Sequence, residues 1–202
     1  MIHPHTELRF ISPEIGYGVV ATEFIPRGTV TWVKDDLDQT FALDDVRQLP
    51  ELFHDQLYKY SFIAPNGRLV LCWDLGRYVN HSCHANCLCA GYDFEVAVRD
   101  IAPGEELYDD YGALNLIEDF ECRCGFEGCR QIIRPDDLLR YAEVWDGQVA
   151  AAFPLIPSVP QPMWPLVKEK QQVEAVIAGK SAIASCRLNY SPEKEAWVNV
   201  FR

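Results

Sequence analysis

The residues best suited to do chemistry are concentrated in the segment Arg77–Cys89, whose sequence is RYVNHSCHANCLC. It holds three cysteines, two histidines and two asparagines. Each of these polar groups needs a partner once it is buried, so a segment that only filled a core would not collect them. We therefore expect this segment to form a binding or metal site, with the rest of the chain arranged around it.

A second cluster follows at Cys122, Cys124 and Cys129, in a C-x-C-x4-C pattern with two glycines inside it. Zinc prefers four tetrahedral thiolate or imidazole ligands, and glycine allows a short loop to fold back around the ion. The alternative is a set of buried but unrelated thiols. A catalytic zinc fits less well, because catalytic sites favour histidine or carboxylate ligands. The pattern predicts a structural zinc site whose fourth ligand comes from the first segment, which offers Cys83, Cys87 and Cys89.

The 202-residue chain is long enough for one domain with a substantial core, and its 49% hydrophobic and 24% charged residues are ordinary for a globular protein. Its net charge of -12 argues against nonspecific binding to nucleic acid or to anionic lipid, and is compatible with a cationic ligand. No secretory signal or membrane-spanning apolar run is visible. Eight cysteines without an export signal suggest a reducing compartment, so we expect the cytoplasm, or the nucleus in a eukaryote.

The elements that position these segments are predicted to be short. Residues 8–33 predict strands separated by tight turns, and residues 35–60 predict an interrupted helix. Residues 60–73 predict a hairpin that turns at Asn66–Gly67 and leads into the first segment. Residues 94–98 predict an alternating strand.

The C-terminal third is predicted to be partly helical. Asp136 is a candidate N-cap for a helix through about Ala152, and residues 166–178 predict a second helix that ends at Gly179. The proline-rich residues 154–165 predict a linker or an extended strap.

The run GYGVVA at Gly16–Ala21 formally fits the dinucleotide-binding fingerprint, with acidic residues 35–38 at a suitable distance. That fingerprint requires a helix to begin at its second glycine. The residues after Gly18 favour a strand and then meet Pro26, so we reject this interpretation. We expect the glycines to allow a sharp turn or a close backbone approach to a ligand.

Four motifs together resemble those of the SET-domain lysine methyltransferases. Residues 77–86, RYVNHSCHAN, are similar to the family signature Arg-Phe-x-Asn-His-Ser-Cys-x-Pro-Asn. Residues 104–112, GEELYDDYG, are similar to the second signature, Gly-Glu-Glu-Leu-x-Tyr-Asp-Tyr-Gly. Residues 16–29 resemble the N-terminal Gly-x-Gly segment, and Cys122–Cys129 matches the post-SET pattern. The motifs occur in the family's order and cover about residues 6–130.

The resemblance implies a mainly β fold of small sheets with short helices, in which the two signatures form a pseudoknot around the active site. It implies a SET domain over residues 6–113, a post-SET zinc-binding segment over 118–134 and a partly helical C-terminal extension over 135–202. It also implies S-adenosylmethionine as the methyl donor on one face, with the acceptor lysine entering a narrow channel from the other.

Carried over residue by residue, the resemblance assigns Tyr111 as the active-site tyrosine. The residues that it places around the donor are Gly16, Tyr17, Gly18, Tyr60, Arg77, Asn80, His81 and Tyr111. The residues that it places around a structural zinc ion are Cys83, Cys122, Cys124 and Cys129, with Cys87 as an alternative to Cys83.

Three positions depart from the family pattern. Ala85 replaces a proline without removing chemistry, and Trp32 stands near a position that is often tyrosine. Asp109 occupies the aromatic position of the second signature, which influences how many methyl groups are added. An aspartate there could order water or contact the substrate ammonium, so the number of methyl groups is open.

The implied reaction is methyl transfer to the lysine side chain of a protein or peptide, which the acidic runs of the chain suggest is basic. The attacking amine must be neutral, although a free lysine titrates near ~10.4. A desolvated channel and the adjacent sulfonium charge both lower that pKa.

Other readings of the sequence remain. A small amine could be the acceptor, or Cys83 and His81 could form the nucleophilic pair of a thiol hydrolase, although that pair gives the cysteine cluster no role. A catalytically silent, zinc-stapled interaction module is the non-enzymatic alternative. Neither nucleic acid nor a membrane is an expected partner, and the oligomeric state is open.

Overall fold

The computed structural model describes residues 1–201 as short strands and helices joined by turns. The strands are β1 Thr6–Ser12, β2 Gly16–Ala21, β3 Val30–Val33, β4 Gln39–Phe41, β5 Ser61–Ile63, β6 Leu69–Leu71, β7 Asn80–His81, β8 Cys87–Cys89, β9 Phe94–Ala97, β10 Tyr108–Asp109, β11 Phe120–Glu121 and β12 Ile132–Ile133. The α-helices are α1 Leu43–Arg47, α2 His54–Tyr60, α3 Asp137–Ala152 and α4 Lys170–Ile177. Within this part of the chain no helix is both long and apolar enough to cross a membrane.

The strands form small sheets rather than one continuous sheet. β1 and β2 form an antiparallel hairpin, and β11 pairs antiparallel with β12. Two three-stranded antiparallel sheets have the orders β3-β9-β8 and β4-β6-β5. β7 and β10 form a short parallel pair. The predicted fold class, small β-sheets with short helices and a helical C-terminal segment, is confirmed.

The parallel pair β7–β10 joins the two signature segments, with Tyr108 opposite Asn80 and Asp109 opposite His81. Asn86, which is fully buried, holds the pair together. Its side-chain amide donates to the carbonyl of Glu106 at 2.9 Å, and its side-chain oxygen accepts from the backbone nitrogen of Tyr108 at 2.7 Å. Because a buried amide needs both its donor and its acceptor satisfied, Asn86 fixes the register of this crossing.

The predicted strands, hairpin and long helix occur. Residues 35–60 are helical only from Leu43 onward, because Gln39–Phe41 instead forms β4 and pairs with β6. Three further details differ. Residues 154–165 are not an extended linker: they include 3-10 turns at Phe153–Ser158 and Trp164–Leu166, and Ile156 and Met163 are buried in the core. Proline fixes φ at a value that a 3-10 turn also uses, so a proline-rich run that contains apolar anchors can pack tightly.

The other two differences are smaller. α4 begins at Lys170 rather than Leu166, because Pro165 lies in a separate 3-10 turn. Tyr60 is the last residue of α2 and not the first residue of the hairpin strand. The hairpin itself turns at Gly67 with a φ of 72°, as an Asn-Gly turn requires.

The largest core cluster packs the C-terminal extension against the β3-β9-β8 sheet. Trp145 and Val149 of α3 share this cluster with Leu88 of β8 and Phe94 of β9. A second cluster buries Trp197 against the hairpin sheet and α2. Burial of each such large apolar side chain contributes about 1.5–3 kcal/mol. The extension therefore shares its core with the sheets that carry the signature segments.

Candidate functional site

Asn80 opens β7 and turns its side chain toward the β1–β2 hairpin. Its amide nitrogen donates to the carbonyl of Tyr17 at 3.0 Å and to a carboxylate oxygen of Glu106 at 2.6 Å. The other oxygen of Glu106 accepts from the hydroxyl of Tyr108 at 2.8 Å. A Cβ at Gly18 would stand 2.1 Å from Glu106 and 2.9 Å from Asn80, so only glycine lets the strand approach these groups. We call Tyr17, Gly18, Asn80, Glu106 and Tyr108 the polar face.

The other residues predicted around the donor are on separate elements: Gly16 and Tyr17 on β2, Tyr60 at the end of α2 and Arg77 in the Leu75–Tyr78 turn. Gly16 has a φ of 85° and open space around its Cα, while Tyr17 is half exposed. The Arg77 guanidinium donates to the carbonyl of Trp73 at 2.6 Å, and the ring of Tyr60 packs edge-on against another tyrosine of the Leu75–Tyr78 turn. No hydrogen bond among residues 1–201 joins Arg77 or Tyr60 to the polar face.

His81 is buried between the two signature segments. Its Nδ1 accepts from the backbone nitrogen of Tyr111 at 3.1 Å, and its Nε2 lies 3.6 Å from the sulfur of Cys83. Burial, aided by the Arg130 charge, lowers the pKa of His81 to about 4, and burial raises the pKa of the Cys83 thiol. The Cys83 sulfur also belongs to a cluster of four cysteine sulfurs, and Nδ1 of His81 is already bonded to Tyr111, so the geometry disfavours the thiol-hydrolase reading.

Tyr108 and Asp109 are consecutive on β10, so their side chains point to opposite faces of the parallel pair: Tyr108 to the polar face and Asp109 to a cavity that Tyr111 also lines. The hydroxyl of Tyr111 donates to the carbonyl of Val79 at 2.9 Å. Burial raises the pKa of Tyr111 above its ordinary value, and the nearby charge of Asp109 adds to the effect. Tyr111 lines a cavity of about 110 Å³ together with Trp32 and Asp109, two of the positions that depart from the family pattern.

The acid groups of this cavity were not all foreseen. Glu95, on β9, lines the cavity together with Asp109. Burial raises the pKa of Glu95 to about 7, and burial together with Glu95 raises the pKa of Asp109 well above its usual range. The sequence around Glu95 is an ordinary strand pattern, so only the pairing of β9 and β10 with their neighbours brings this carboxyl into the site.

The four predicted zinc ligands are gathered in one place. The sulfurs of Cys83, Cys122, Cys124 and Cys129 all lie within 4.8 Å of one another. The Cys122 sulfur lies 3.7 Å from that of Cys83 and 3.5 Å from that of Cys129. These distances exceed the ~2.05 Å of a disulfide. They match the ~3.8 Å between sulfurs of a tetrahedron with zinc–sulfur bonds of ~2.3 Å, so the donor set fits zinc.

Two other cysteines of the first segment lie outside this cluster. Cys87 is buried on β8 and donates to the side-chain oxygen of Asn86 at 3.4 Å. Cys89 donates to the carbonyl of Tyr92 at 2.9 Å. The structure thus places Cys83, and not Cys87 or Cys89, beside the Cys122–Cys129 loop.

Arg130 is a positioning residue that sequence reasoning missed. Its backbone nitrogen donates to the sulfur of Cys83 at 3.4 Å. Its guanidinium donates to Asp110 at 2.5 Å and to Asp137 at 3.2 Å, and stacks on the ring of Tyr141 at 4.7 Å. The side chains of Arg130, Asp110 and Asp137 are 11%, 4% and 1% exposed. The sequence did offer a signal for Arg130. It directly follows Cys129, and a cationic side chain next to a cluster of thiolates is expected to interact with it electrostatically.

Comparisons with known proteins find similarity to SET-domain proteins. The SET-domain family model matches residues 16–112. The histone-lysine N-methyltransferase ASHH2 of Arabidopsis thaliana is 31% identical over 148 residues, which cover 64% of this chain and 8% of that protein. The histone-lysine N-methyltransferase SETMAR of Bos taurus is 28% identical over 157 residues, which cover 61% of this chain and 51% of that protein. The chain therefore spans at most about half of either relative.

Two solved structures also resemble the chain. One is KRYPTONITE in complex with mCHG DNA and SAH, with a TM-score of 0.44 and 22% identity, covering 60% of this chain and 27% of that one. The other is the methyltransferase domain of human SETMAR, with a TM-score of 0.45 and 20% identity, covering 66% of this chain and 58% of that one. The ordered motifs, the parallel pairing of the two signatures and the family match agree. Residues 16–112 therefore match a SET domain, as the sequence motifs predicted.

Proposed function

We propose that the chain is a protein-lysine methyltransferase that uses S-adenosylmethionine. The observation that carries this proposal is the parallel pairing of the two signature segments, which puts the polar face and the Tyr111 cavity on opposite sides of one short crossing. Two reactants bound on opposite sides of such a crossing can meet at its middle, which is the positioning that a displacement reaction needs.

S-adenosylmethionine supplies an electrophilic methyl group on a sulfonium when it is bound. The backbone of Gly16–Gly18, the side chain of Asn80 and the neutral ring of His81 would hold it, with Tyr60 and Arg77 nearby. The open space at Gly16, the exposed ring of Tyr17 and the carboxylate of Glu106 fit a ligand that has both a cationic and an aromatic part.

The residues of the cavity would prepare the acceptor amine. Trp32 and Phe62 provide an aromatic wall, and a desolvated environment lowers the pKa of an amine. The hydroxyl of Tyr111 and the carbonyl of Val79 lie 2.9 Å apart and present oxygen atoms toward which an amine can orient its N–H bonds. Neither group has to gain or lose a proton for this role.

Zinc, which the four cysteines would hold, has a structural task in this proposal. Cys83 follows His81 by two residues, so a zinc ion would fasten the end of β7 to the Cys122–Cys129 loop.

We propose the divisions 6–113, 118–134 and 135–202 for the SET domain, zinc segment and extension. We also propose a basic protein substrate in the cytoplasm or the nucleus, since the chain is strongly acidic and the named relatives are histone-lysine methyltransferases.

Transfer of a tritiated methyl group from S-adenosylmethionine to core histones, and to the proteins of a cell extract, tests the proposal. We expect label in the protein fraction that is recovered as methyl-lysine after hydrolysis. Calorimetry with S-adenosylmethionine accompanies the assay. A chain that transfers no label and binds no donor would be the silent interaction module instead.

A further inference from the structure

The short turn that begins at Tyr111 is capped by the residue before it. Tyr111–Ala113 form a 3-10 turn, and the side chain of Asp110 accepts from the backbone nitrogen of Gly112 at 3.0 Å. A side-chain cap of this kind fixes the backbone at the start of a helical turn. The orientation of the Asp110 carboxylate therefore sets the direction in which Tyr111, the first residue of the turn, presents its side chain.

The carboxylate of Asp110 is itself held through both of its oxygens. Its Oδ1, which bonds to Gly112, also accepts from the Arg130 guanidinium at 2.5 Å. Its Oδ2 accepts from the indole nitrogen of Trp145, on α3, at 3.2 Å. A carboxylate that is held at one oxygen can still rotate about that oxygen, so the bond from Trp145 completes the fixation of the cap.

The helix α3 also lies directly against the capped turn. A Cβ at Gly112 would stand 3.0 Å from the Cβ of Asp137 and 3.2 Å from the ring of Trp145. The next residue of the turn, Ala113, packs against the core cluster that contains Trp145. The turn therefore has no room to shift toward α3, and its position depends on where that helix lies.

Trp145 is part of the buried apolar stripe of α3, together with Leu138, Ala142 and Val149. A leucine or a phenylalanine would also suit such a stripe, but an indole adds an N–H group that needs a partner once it is buried. That partner is the residue next to Tyr111. The SET-domain match ends at residue 112, so Trp145 reaches the turn from outside the matched region.

We propose that Trp145 is a positioning residue for methyl transfer, because its indole N–H holds Asp110 in the orientation that caps the Tyr111 turn. This inference rests on the proposed function, since it takes Tyr111 to be the active-site tyrosine. The C-terminal extension then contributes to the reaction without touching the donor or the acceptor. Misplacement of a reacting group by about 1 Å can cost about 100-fold in rate. Because Arg130 still holds Oδ1, loss of the Trp145 bond should cost less.

The variant Trp145→Phe, studied in the full chain loaded with zinc, tests the proposal. We expect the backbone amide of Gly112 to exchange its hydrogen about tenfold faster, relative to the slowest-exchanging amides, because its bond to Asp110 opens more often. With core histones as the acceptor, we expect kcat to fall about tenfold. The KM for histones and the affinity for S-adenosylmethionine should stay within about twofold of the wild type, because neither binding face is altered.

Trp197→Phe is the matched control. Trp197 is also a buried tryptophan of the extension, and its indole nitrogen donates to the carbonyl of Gly67 at 2.9 Å. This variant loses the same kind of hydrogen bond and should lower the melting temperature to a similar extent. It should keep the wild-type kcat and the wild-type exchange at Gly112, because Trp197 does not bond to Asp110.

A second replacement separates the lost hydrogen bond from a loosened core. β-(3-Benzothienyl)alanine in place of Trp145 keeps the bicyclic ring but has sulfur where the indole has its N–H. It should give the same faster exchange at Gly112 as Trp145→Phe, with a smaller loss of thermal stability.

Wild-type exchange at Gly112 in the benzothienyl chain would overturn the proposal, as would equal effects of Trp145→Phe and Trp197→Phe on exchange and on kcat. An unchanged kcat in Trp145→Phe would overturn it too. Failure of the proposed function is distinguishable, because the exchange of Gly112 reports on the cap even in a chain that transfers no methyl group.

Discussion

The two sides of the β7–β10 pair hold their charged groups in different ways. On the polar face the Glu106 carboxylate is satisfied within the chain, by Asn80 and by the hydroxyl of Tyr108. In the cavity Asp109 accepts from the backbone nitrogen of Asp110, and burial raises the pKa of both Asp109 and Glu95. A face whose hydrogen bonds are already made is pre-organised, whereas an acid pair in a cavity is stabilised further when a cation arrives. We assign the donor to the first and the acceptor to the second.

Both sides are held in place by the same segment, residues 122–130, which we call the frame. Residues 122–130 hold the end of β7 through Cys83 and hold the residue after β10 through the ion pair of Arg130 with Asp110. The frame must stay fixed for the two faces to keep their spacing. Variants of the frame should therefore disturb both faces, and variants of one face should spare the other.

The largest effect is expected from Cys124→Ser. Loss of one of four thiolate ligands should lower the zinc content, and it should reduce the free energy of unfolding by several kcal/mol because metal binding is coupled to folding. Metal analysis and thermal unfolding measure the change. Cys186→Ala, at a buried cysteine outside the cluster, should keep full zinc. Stoichiometric zinc in Cys124→Ser would contradict the ligand set.

Arg130→Met should have the next largest effect on stability. It leaves Asp110 and Asp137 buried without their cation, and loss of one partner of a buried ion pair costs about 3–5 kcal/mol. Chemical denaturation measures the loss. Arg130→Lys, which keeps the charge but not the two-pronged geometry, should recover part of it. An unchanged midpoint for the methionine variant would show that the clamp between the zinc loop and α3 is not needed.

Tyr111→Phe should lower methyl transfer at the cavity and leave donor binding at the polar face unchanged. Loss of one positioned hydroxyl should lower methyl transfer by about 100-fold or more. Donor affinity should stay near that of the wild type, because the polar face is untouched. Tyr92→Phe removes another hydroxyl from the same cavity wall and is the control. If both variants lose the same activity, Tyr111 has no special role.

Asn80→Ala should weaken donor binding and leave the cavity unchanged, and its effect should be the smallest of the four. It removes the amide that joins the carbonyl of Tyr17 to Glu106, and S-adenosylmethionine should bind about tenfold more weakly. Binding to the cavity of n-butylamine, which copies the end of a lysine side chain, should not change. Asn189→Ala, on the cavity side, is the control for donor binding. Equal weakening of both ligands in Asn80→Ala would mean that the two faces are not independent.

Sequence reasoning selected the parts of the candidate site that are encoded locally. Asn80, His81 and Cys83 lie in one signature, and Cys122, Cys124 and Cys129 have a spacing that itself indicates a metal loop. Alternating strand and turn patterns also predicted most elements, since period-2 burial and Asn-Gly turns are local properties.

Glu95 and Arg130 could not be assigned in this way. Glu95 becomes part of the site because β9 lies between β3 and β8, at the edge of the cavity. Arg130 becomes a clamp because α3 brings Asp137 toward Asp110. The proline-rich residues 154–165 were predicted wrongly for a related reason: the burial of Met163 depends on a sheet far away in the sequence. Contacts of this kind are set by tertiary packing, which local patterns do not contain.

A crystal structure of the chain with S-adenosylhomocysteine and n-butylamine would test the central claim most directly. We expect electron density for S-adenosylhomocysteine against Gly18 and Asn80, and density for the amine in the cavity with its nitrogen beside Asp109 and Tyr111. Density for S-adenosylhomocysteine inside the cavity lined by Glu95 and Asp109 would contradict the assignment of the two faces.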